Sequence, residues 1–368
     1  MKGITIAYDA KRAFANRRGL GNYSRDVIRL MQTYAPQNDY VLCGIPSALC
    51  DTSHVRLCSP RGLWRLFPSL WRSGGCLHQL RDVTLYHGLS GELPYGIHRT
   101  SIRTAVTVHD TIFMRYPHLY SPTYRWLFAC KVRYACTHAD LIIAISEQTK
   151  QDLIHYFHAD AQKIRVVYQG CSNLYRKPVT DAQVAQVRSQ YNLPERYMLY
   201  VGALEERKNL HRLIEAVVTA KIEVPLVLVG AMSAYGEQLC RLAEKAGVNM
   251  QICSDVPQAD LPAFYKGAEL FVYPSLYEGF GIPVLEAMCI GTPVVTSTGS
   301  CFAETGGDAA LYADPLQPEQ IGAQLVRVLS DADLRNRMIT KGQAQAERFT
   351  DEKVASSLIQ IYHELCEF

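Results

Sequence analysis

Two glutamates eight positions apart, Glu278 and Glu286, flank a glycine-rich stretch in the run Tyr-Glu-Gly-Phe-Gly-Ile-Pro-Val-Leu-Glu-Ala-Met. Residues 269–274 before them (Glu-Leu-Phe-Val-Tyr-Pro) read as a buried strand closed by a proline. Pro283 suits the first position of a helix, where its fixed φ and missing N–H cost nothing. Gly291, followed by Thr-Pro, is a natural stop for that helix. Glu278 therefore falls in a strand-to-helix loop and Glu286 about one turn into the helix. Between them, the backbone N–H groups of Gly279, Phe280 and Gly281 and those of the first turn, Ile282 and Val284 on either side of Pro283, face one point. Backbone donors reinforced by a helix dipole suit hydroxyls and phosphate oxygens, here with a carboxylate on either side.

Other residue pairs could act with this one. Arg207 and Lys208, in Val-Gly-Ala-Leu-Glu-Glu-Arg-Lys-Asn-Leu, follow a strand pattern ending at Gly202 and precede an amphipathic stretch over residues 209–220. Fixed cations at such a position stabilise a departing diphosphate more in the transition state than in the ground state; a helix start with solvated charges is the plainer alternative. His109-Asp110 ends the apolar run Thr-Ala-Val-Thr-Val, at the strand end where open parallel sheets bind ligands. A capping or core-satisfied histidine is the alternative there. His87 and the pair Ser146-Glu147 also end strand patterns. Asp331-Ala-Asp333 has the spacing of a metal-binding motif, but its place between two helical patterns reads as a helix N-cap.

The elements that must position these groups alternate along the chain. Strand patterns lie at 4–8, 40–44, 83–87, 104–109, 141–145 and 164–168, then at 197–202, 225–230, 250–253, 270–273 and 293–296. Helical periodicity fills most intervals, so the chain predicts an α/β fold of parallel, doubly wound sheets. The pattern occurs twice: a first domain over 1–172, a polar linker over 173–194 and a second domain over 195–350. The economical arrangement is two Rossmann-like domains facing a cleft.

Composition narrows the function. The 368 residues carry a net charge of +3, too little to argue for nucleic acid. No stretch approaches ~18 uninterrupted apolar residues, and the N-terminus enters a strand pattern directly, without the look of a signal peptide. Twelve cysteines without regular spacing, and no Cys-x-x-Cys, read as reduced thiols of a cytoplasmic protein. No cluster has convincing metal spacing, so neither a metal nor another cofactor is expected. Gly19-Leu-Gly-Asn-Tyr-Ser is no dinucleotide fingerprint, since it lies about ten residues beyond its strand, which disfavours a dehydrogenase. From Arg56 to Arg81 five arginines and no acid interleave with Trp64, Phe67 and Trp71. That segment fits either an anionic membrane surface or a helical excursion lining an acceptor cleft.

The Glu-Gly-Phe-Gly-x-Pro-x-x-Glu-Ala context resembles the Glu-x7-Glu motif of the retaining GT4 glycosyltransferases of GT-B fold, and further matches follow in order along nearly the whole chain. The resemblance implies a second domain that binds a nucleotide-diphosphate sugar and a first that binds the acceptor. It also implies a C-terminal helix, residues 351–368, that crosses back to the first domain. Glu286 would then accept the ribose hydroxyls, while Glu278 with Phe280 and Gly281 would hold the donor sugar. Arg207 and Lys208 would hold the pyrophosphate; Ala203 stands where an arginine often follows the glycine. Gly19 and Gly21 would form a loop approaching the donor phosphates, and His109 would lie beside the transferred sugar. Loops near Gly230 and at residues 252–256, with Ser254 and Asp255, would meet the base. Glu304 matches a loop near the donor, although the usual preceding proline is Ala303.

The surroundings of His109 and Arg207 look most like the bacterial O-antigen mannosyltransferases. They imply a hexosyltransferase using GDP-mannose, a saccharide or lipid-linked saccharide acceptor in surface polysaccharide biosynthesis, and peripheral contact with the inner face of the membrane. A sugar-nucleotide epimerase or hydrolase of similar architecture, and a non-catalytic sugar-nucleotide-binding protein, are the alternatives.

Overall fold

A computed structural model describes residues 3–17 and 19–366. Two compact units divide the chain, one formed by Met1–Gln169 with Asp351–Phe368 and the other by Gly170–Thr350. The first carries a parallel sheet of β1 (Thr5–Asp9), β2 (Asp39–Cys43), β3 (Arg56–Cys58), β4 (Leu85–Gly88), β5 (Arg103–Val108), β6 (Leu141–Ala144) and β7 (Ile164–Val166), in the order 3-2-1-4-5-6-7. The second carries β8 (Met198–Val201), β9 (Leu226–Val229), β10 (Met250–Cys253), β11 (Leu270–Tyr273), β12 (Val294–Ser297) and β13 (Ala310–Ala313), in the order 10-9-8-11-12-13. Both are Rossmann-like doubly wound domains, and their strand order reverses between β1 and β4 and between β8 and β11. In open α/β sheets, ligands bind at the carboxyl ends beside such reversals.

The sheet interiors are near-continuous apolar runs, as strands covered on both faces must be; Leu-Phe-Val-Tyr of β11 and Leu-Val-Leu-Val of β9 are wholly buried. Two edge strands have no counterpart in the sequence reading. The three residues of β3 leave Arg56 and Leu57 exposed, too few to set a period, and Ala-Leu-Tyr-Ala of β13 is half alanine, a weak strand former. The expected linker at 173–194 is also more structured than its polarity implied. Asp181–Gln190 is a helix within the second unit, opened by a capping box between Thr180 and Gln183.

The helix Asp351–Cys366 packs its buried Val354, Ala355, Leu358, Ile361, Tyr362 and Leu365 into the same core as Val27 and Met31 of the helix Gly19–Tyr34. The predicted helix positions Glu367 and Phe368 lie outside the described residues. Gly19 and Gly21 begin the helix Gly19–Tyr34 and do not form the loop the sequence suggested. A side chain on Gly21 would meet the Asn16 carbonyl oxygen at 1.8 Å, so this glycine permits a close backbone crossing.

Candidate active site

The loops after β8 and β11, at the reversal of the second sheet, bring three sequence-predicted residues together. Glu278 Oε1 accepts hydrogen bonds from Lys208 Nζ at 2.5 Å, Ser275 Oγ at 2.7 Å, Arg207 Nη1 at 2.8 Å and the Tyr273 hydroxyl at 3.2 Å. Burial by itself would raise this carboxyl, but Lys208 and then Arg207 outweigh it and hold its pKa at about 2. Burial pulls Lys208 below its usual range against the attraction of Glu278. With Nζ also 2.7 Å from the Tyr273 hydroxyl, it stands as an ammonium on two oxygen acceptors. Lys208 is only 6% exposed and so is no solvated surface cation. Arg207 is fixed as firmly, donating to the Tyr277 carbonyl and to Glu205 Oε1, both at 2.7 Å.

Backbone geometry sets these positions. Asn209, buried with φ +61°, donates through Nδ2 to the carbonyls of Pro274 and Pro315, tying the loops after β8, β11 and β13. Asparagine is among the few residues that accept this left-handed region. Ser300 Oγ accepts from the Glu278 N–H at 3.1 Å and lies 2.9 Å from its carbonyl oxygen. Gly281 caps the helix Ile282–Ile290 at φ +91°, which favours glycine. The helix starts at Ile282, so Pro283 is its second residue, and it ends at Gly291 as the sequence implied. Phe280 is buried edge-on to Phe349, while Ile282 and Pro283 are partly exposed and Val284 faces the core.

Glu286, on the same helix, has other surroundings. Its Oε2 accepts from the Tyr265 hydroxyl at 2.9 Å, and Tyr175 also hydrogen-bonds it. Burial dominates, and the two phenols offset it only in part, so the pKa rises to about 7. Nearby, the thiols of Cys171 and Cys289 lie 3.2 Å apart. Gly202 and Gly230 directly follow the adjacent strands β8 and β9, and the Ser254 hydroxyl donates to the Gly230 carbonyl at 3.3 Å. Asp255 is exposed, at φ +56°. Glu304 lies in the first turn of the short helix Phe302–Gly306.

His109, Gly19 and Gly21 belong to the first domain. His109 follows β5, with Nε2 2.9 Å from the Leu89 carbonyl and Nδ1 3.3 Å from the Gln169 amide. A carbonyl can only accept, so Nε2 carries the proton, and burial holds the ring neutral with a pKa of about 4. His87 is a core histidine rather than a site residue: wholly buried, it is hydrogen-bonded to the Tyr362 and Thr107 hydroxyls. Ser146 caps the helix Glu147–Phe157, and Asp331 caps Ala332–Ala346. Among the described residues no group of three or more His, Cys, Asp or Glu side chains gathers as for a metal ion.

Sequence reasoning missed Tyr273, Ser275, Ser300, Tyr175 and Tyr265. Tyr273 and Ser275 were within reach, five and three residues before Glu278 in the same run. Nothing in the sequence ties Tyr175 or Tyr265 to Glu286.

Two parallel-sheet domains with an acidic, cation-braced loop at a sheet reversal are the architecture of GT-B glycosyltransferases. The family model for group 1 glycosyl transferases matches residues 183–345, and that for glycosyltransferase family 4 matches residues 27–172. The chain is 33% identical over 299 residues to O-antigen chain mannosyltransferase B of Escherichia coli, covering 79% of this chain and 77% of that protein. It is 26% identical over 298 residues to the serotype-specific mannosyltransferase WbdA of Escherichia coli, covering 77% of this chain but 36% of that longer protein. A solved structure of Anabaena HepE in complex with UDP and glucose superposes with a TM-score of 0.79 at 18% identity, over 98% of this chain and 100% of that one. The chain belongs to the GT4 family of glycosyltransferases.

Proposed function

We propose that the protein is a retaining, metal-independent hexosyltransferase that moves a sugar from a nucleotide-diphosphate donor to a saccharide acceptor in surface polysaccharide biosynthesis. The kinship with O-antigen mannosyltransferases favours GDP-mannose as the donor. The reading is carried by two carboxylates flanking one helix N-terminus, one held ionised by Arg207 and Lys208 and the other among tyrosines without a cation.

The chemistry follows from these surroundings. Glu286 would accept the two ribose hydroxyls. Glu278, fixed through Oε1, would present its second oxygen to a donor-sugar hydroxyl beside the N–H groups of Phe280 and Gly281. Arg207, Lys208 and the start of the helix Ile282–Ile290 would take up the charge that develops on the leaving diphosphate, a preorganised electrostatic role. No covalent step through Glu278 is invoked, because a carboxylate braced by Lys208 and Arg207, with its pKa held at about 2, is a weak nucleophile suited to positioning. The loops holding Gly230, Ser254 and Asp255 would meet the base, and His109 would lie beside the transferred sugar.

The acceptor is proposed to be lipid-linked and met at the inner face of the membrane. No helix among the described residues is long and apolar enough to cross one. The short helices Gly62–Leu66 and Pro68–Ser73 bury Trp71 but present Leu63, Leu66, Phe67 and Leu70 to solvent, with Leu63 82% and Leu66 71% exposed. Arg61 and Arg65 are exposed beside them. An apolar face rimmed by arginine suits an anionic bilayer. Leu63→Asp with Leu66→Asp should abolish co-sedimentation with phosphatidylglycerol vesicles, and unchanged co-sedimentation would remove the membrane from the proposal.

The central test is thermal stability of the purified protein with GDP, UDP, ADP, dTDP and CMP. A ligand bound only by the folded state raises the midpoint by mass action. One nucleotide should do so, and Glu286→Ala should abolish the rise. With that nucleotide's sugar donor, NMR of the product should show the donor's anomeric configuration retained. Free sugar as the main product in the presence of acceptor would instead favour a hydrolase.

A further inference from the structure

We propose that Cys171 and Cys289, both in the second domain, are a reversible modification site: oxidised to a disulfide, they tie the segment carrying Tyr175 to the helix carrying Glu286. Their sulfurs lie 3.2 Å apart across 118 positions of sequence, and closing that gap to a bond takes a movement of about 1 Å. Cys289 is three residues beyond Glu286 on the helix Ile282–Ile290, so the two share a helix face. Cys171 is four residues before Tyr175, which lies in the single turn Asn173–Arg176 packed on that helix. Thiol and phenol of one short segment therefore meet thiol and carboxylate of one helix.

The two thiols differ as an oxidant-sensing pair requires. Cys171 is only 5% exposed, whereas Cys289 is partly open to solvent. The hydrogen bond from Cys171, and then the Arg176 guanidinium, hold the Cys289 thiol below its usual range against burial, while Cys171, as the donor, is pushed up. The thiolate is the nucleophile of sulfur chemistry, so Cys289 reacts first. With hydrogen peroxide as the oxidant, the Cys289 sulfur attacks one oxygen and the O–O bond breaks. Cys289 becomes a sulfenic acid, and the departing hydroxide takes the proton that the thiol gave up. The Cys171 sulfur then attacks the Cys289 sulfur, the S–O bond breaks, and hydroxide leaves with the Cys171 proton as a second water. Two electrons pass from the thiols to the peroxide, and a dithiol returns them by exchange. Cys43 and Cys58 are register partners in β2 and β3, but both are buried, so an oxidant reaches neither.

The bond changes the freedom of the segment that bears Tyr175. Its far end is already tied, since Arg176 donates to the carbonyls of Ala346 at 2.9 Å and Phe349 at 3.2 Å. At its near end Cys171 meets the helix through a thiol hydrogen bond, a weak one. In the reduced protein Tyr175 can turn aside and free a lone pair of Glu286 for a ribose hydroxyl. With both ends tied it stays on the carboxylate. Oxidation then weakens nucleotide binding without altering Arg207, Lys208 or Glu278. That consequence rests on the reading of Glu286 as the ribose acceptor, whereas the disulfide and the clamp do not.

The test treats the reduced full chain with hydrogen peroxide, alkylates the remaining thiols and maps linked peptides by mass spectrometry. Cys171 and Cys289 should be the principal linked pair, and dithiothreitol should separate them. Over-oxidised Cys289 without a link, or links only through Cys43, Cys58 or the exposed Cys240, overturns the proposal. Without nucleotide, the oxidised protein should melt roughly 10 °C higher, because the link closes a long loop in the unfolded chain; an unchanged or lower midpoint overturns the clamp. By calorimetry GDP, or UDP if that is the nucleotide bound, should bind the oxidised protein about tenfold more weakly, the loss of one hydrogen bond to a charged group. Cys289→Ser should bind it as the reduced wild type does and ignore peroxide, with Cys171→Ser as the second such control. Equal affinity in oxidised and reduced wild type overturns the effect on Glu286. If no nucleotide binds even the reduced protein, the donor reading fails, and the linked peptide and the midpoint still decide the clamp.

Discussion

Glu278 and Glu286 are the same residue type on either side of one helix N-terminus, yet their surroundings drive them in opposite directions. Glu278 meets two cations, a serine and a tyrosine, and its pKa falls to about 2 despite burial. Glu286 meets phenols only, and burial lifts it to about 7. A hydroxyl donor stabilises a carboxylate less than a cation does. The pair is thus divided by its neighbours into a permanently charged group and one that titrates near neutrality. Groups pushed apart in this way commonly mark functional sites.

The largest test of this contrast removes the charged member. Glu278→Gln leaves Lys208 buried opposite a neutral amide, and stranding one partner of a buried pair costs roughly 3–5 kcal/mol. Chemical denaturation should show that loss, and transfer should fall on the order of 10²–10³-fold, as when a preorganised electrostatic contact is removed. Glu278→Gln combined with Lys208→Met should recover much of the stability but none of the activity. Additive losses would mean that the two do not form a pair.

Glu286→Gln should behave oppositely. A carboxyl whose folded pKa lies above its unfolded value gives stability that is complete below about 4.5 and lost as pH rises toward about 7. The wild type should therefore be less stable at pH 8 than the variant by roughly 1–3 kcal/mol, allowing for partial exposure, while the two converge near pH 4. The same variant should lose nucleotide binding. Greater stability bought with lost function is the usual pattern at a strained site, and equal stability at pH 8 would mean that Glu286 is not held uncharged.

The contrast also separates what the sequence could show from what it could not. Eleven strand patterns, the helix start near Pro283 and its stop at Gly291 were legible because each rests on neighbouring residues. The two edge strands were not, being short or alanine-rich. The glutamate pair and its cations were legible from type and spacing, but the tyrosines around Glu286 come from segments with no local mark of that role. Gly21 shows the limit in the other direction: its glycine is required, but for a crossing with Asn16 inside a helix.

The smallest effects should come from single hydroxyls, and they should still differ between the two sites. Tyr273→Phe removes one of four donors from Glu278 Oε1 and leaves Lys208, Arg207 and Ser275 in place. Tyr265→Phe removes one of the two phenols that hold Glu286 down. Each lost bond is worth about 1 kcal/mol, but only the second falls on a group that titrates near neutrality. If the ionised carboxylate accepts the ribose hydroxyls, wild-type nucleotide affinity should rise with pH through about 7 and level off above it. Tyr265→Phe should move that midpoint upward, whereas Tyr273→Phe should leave it where it is. Calorimetric titration between pH 5.5 and pH 9 (roughly the span over which such a group changes charge) decides it. Equal midpoints in the two variants would show that the tyrosines do not set the state of Glu286.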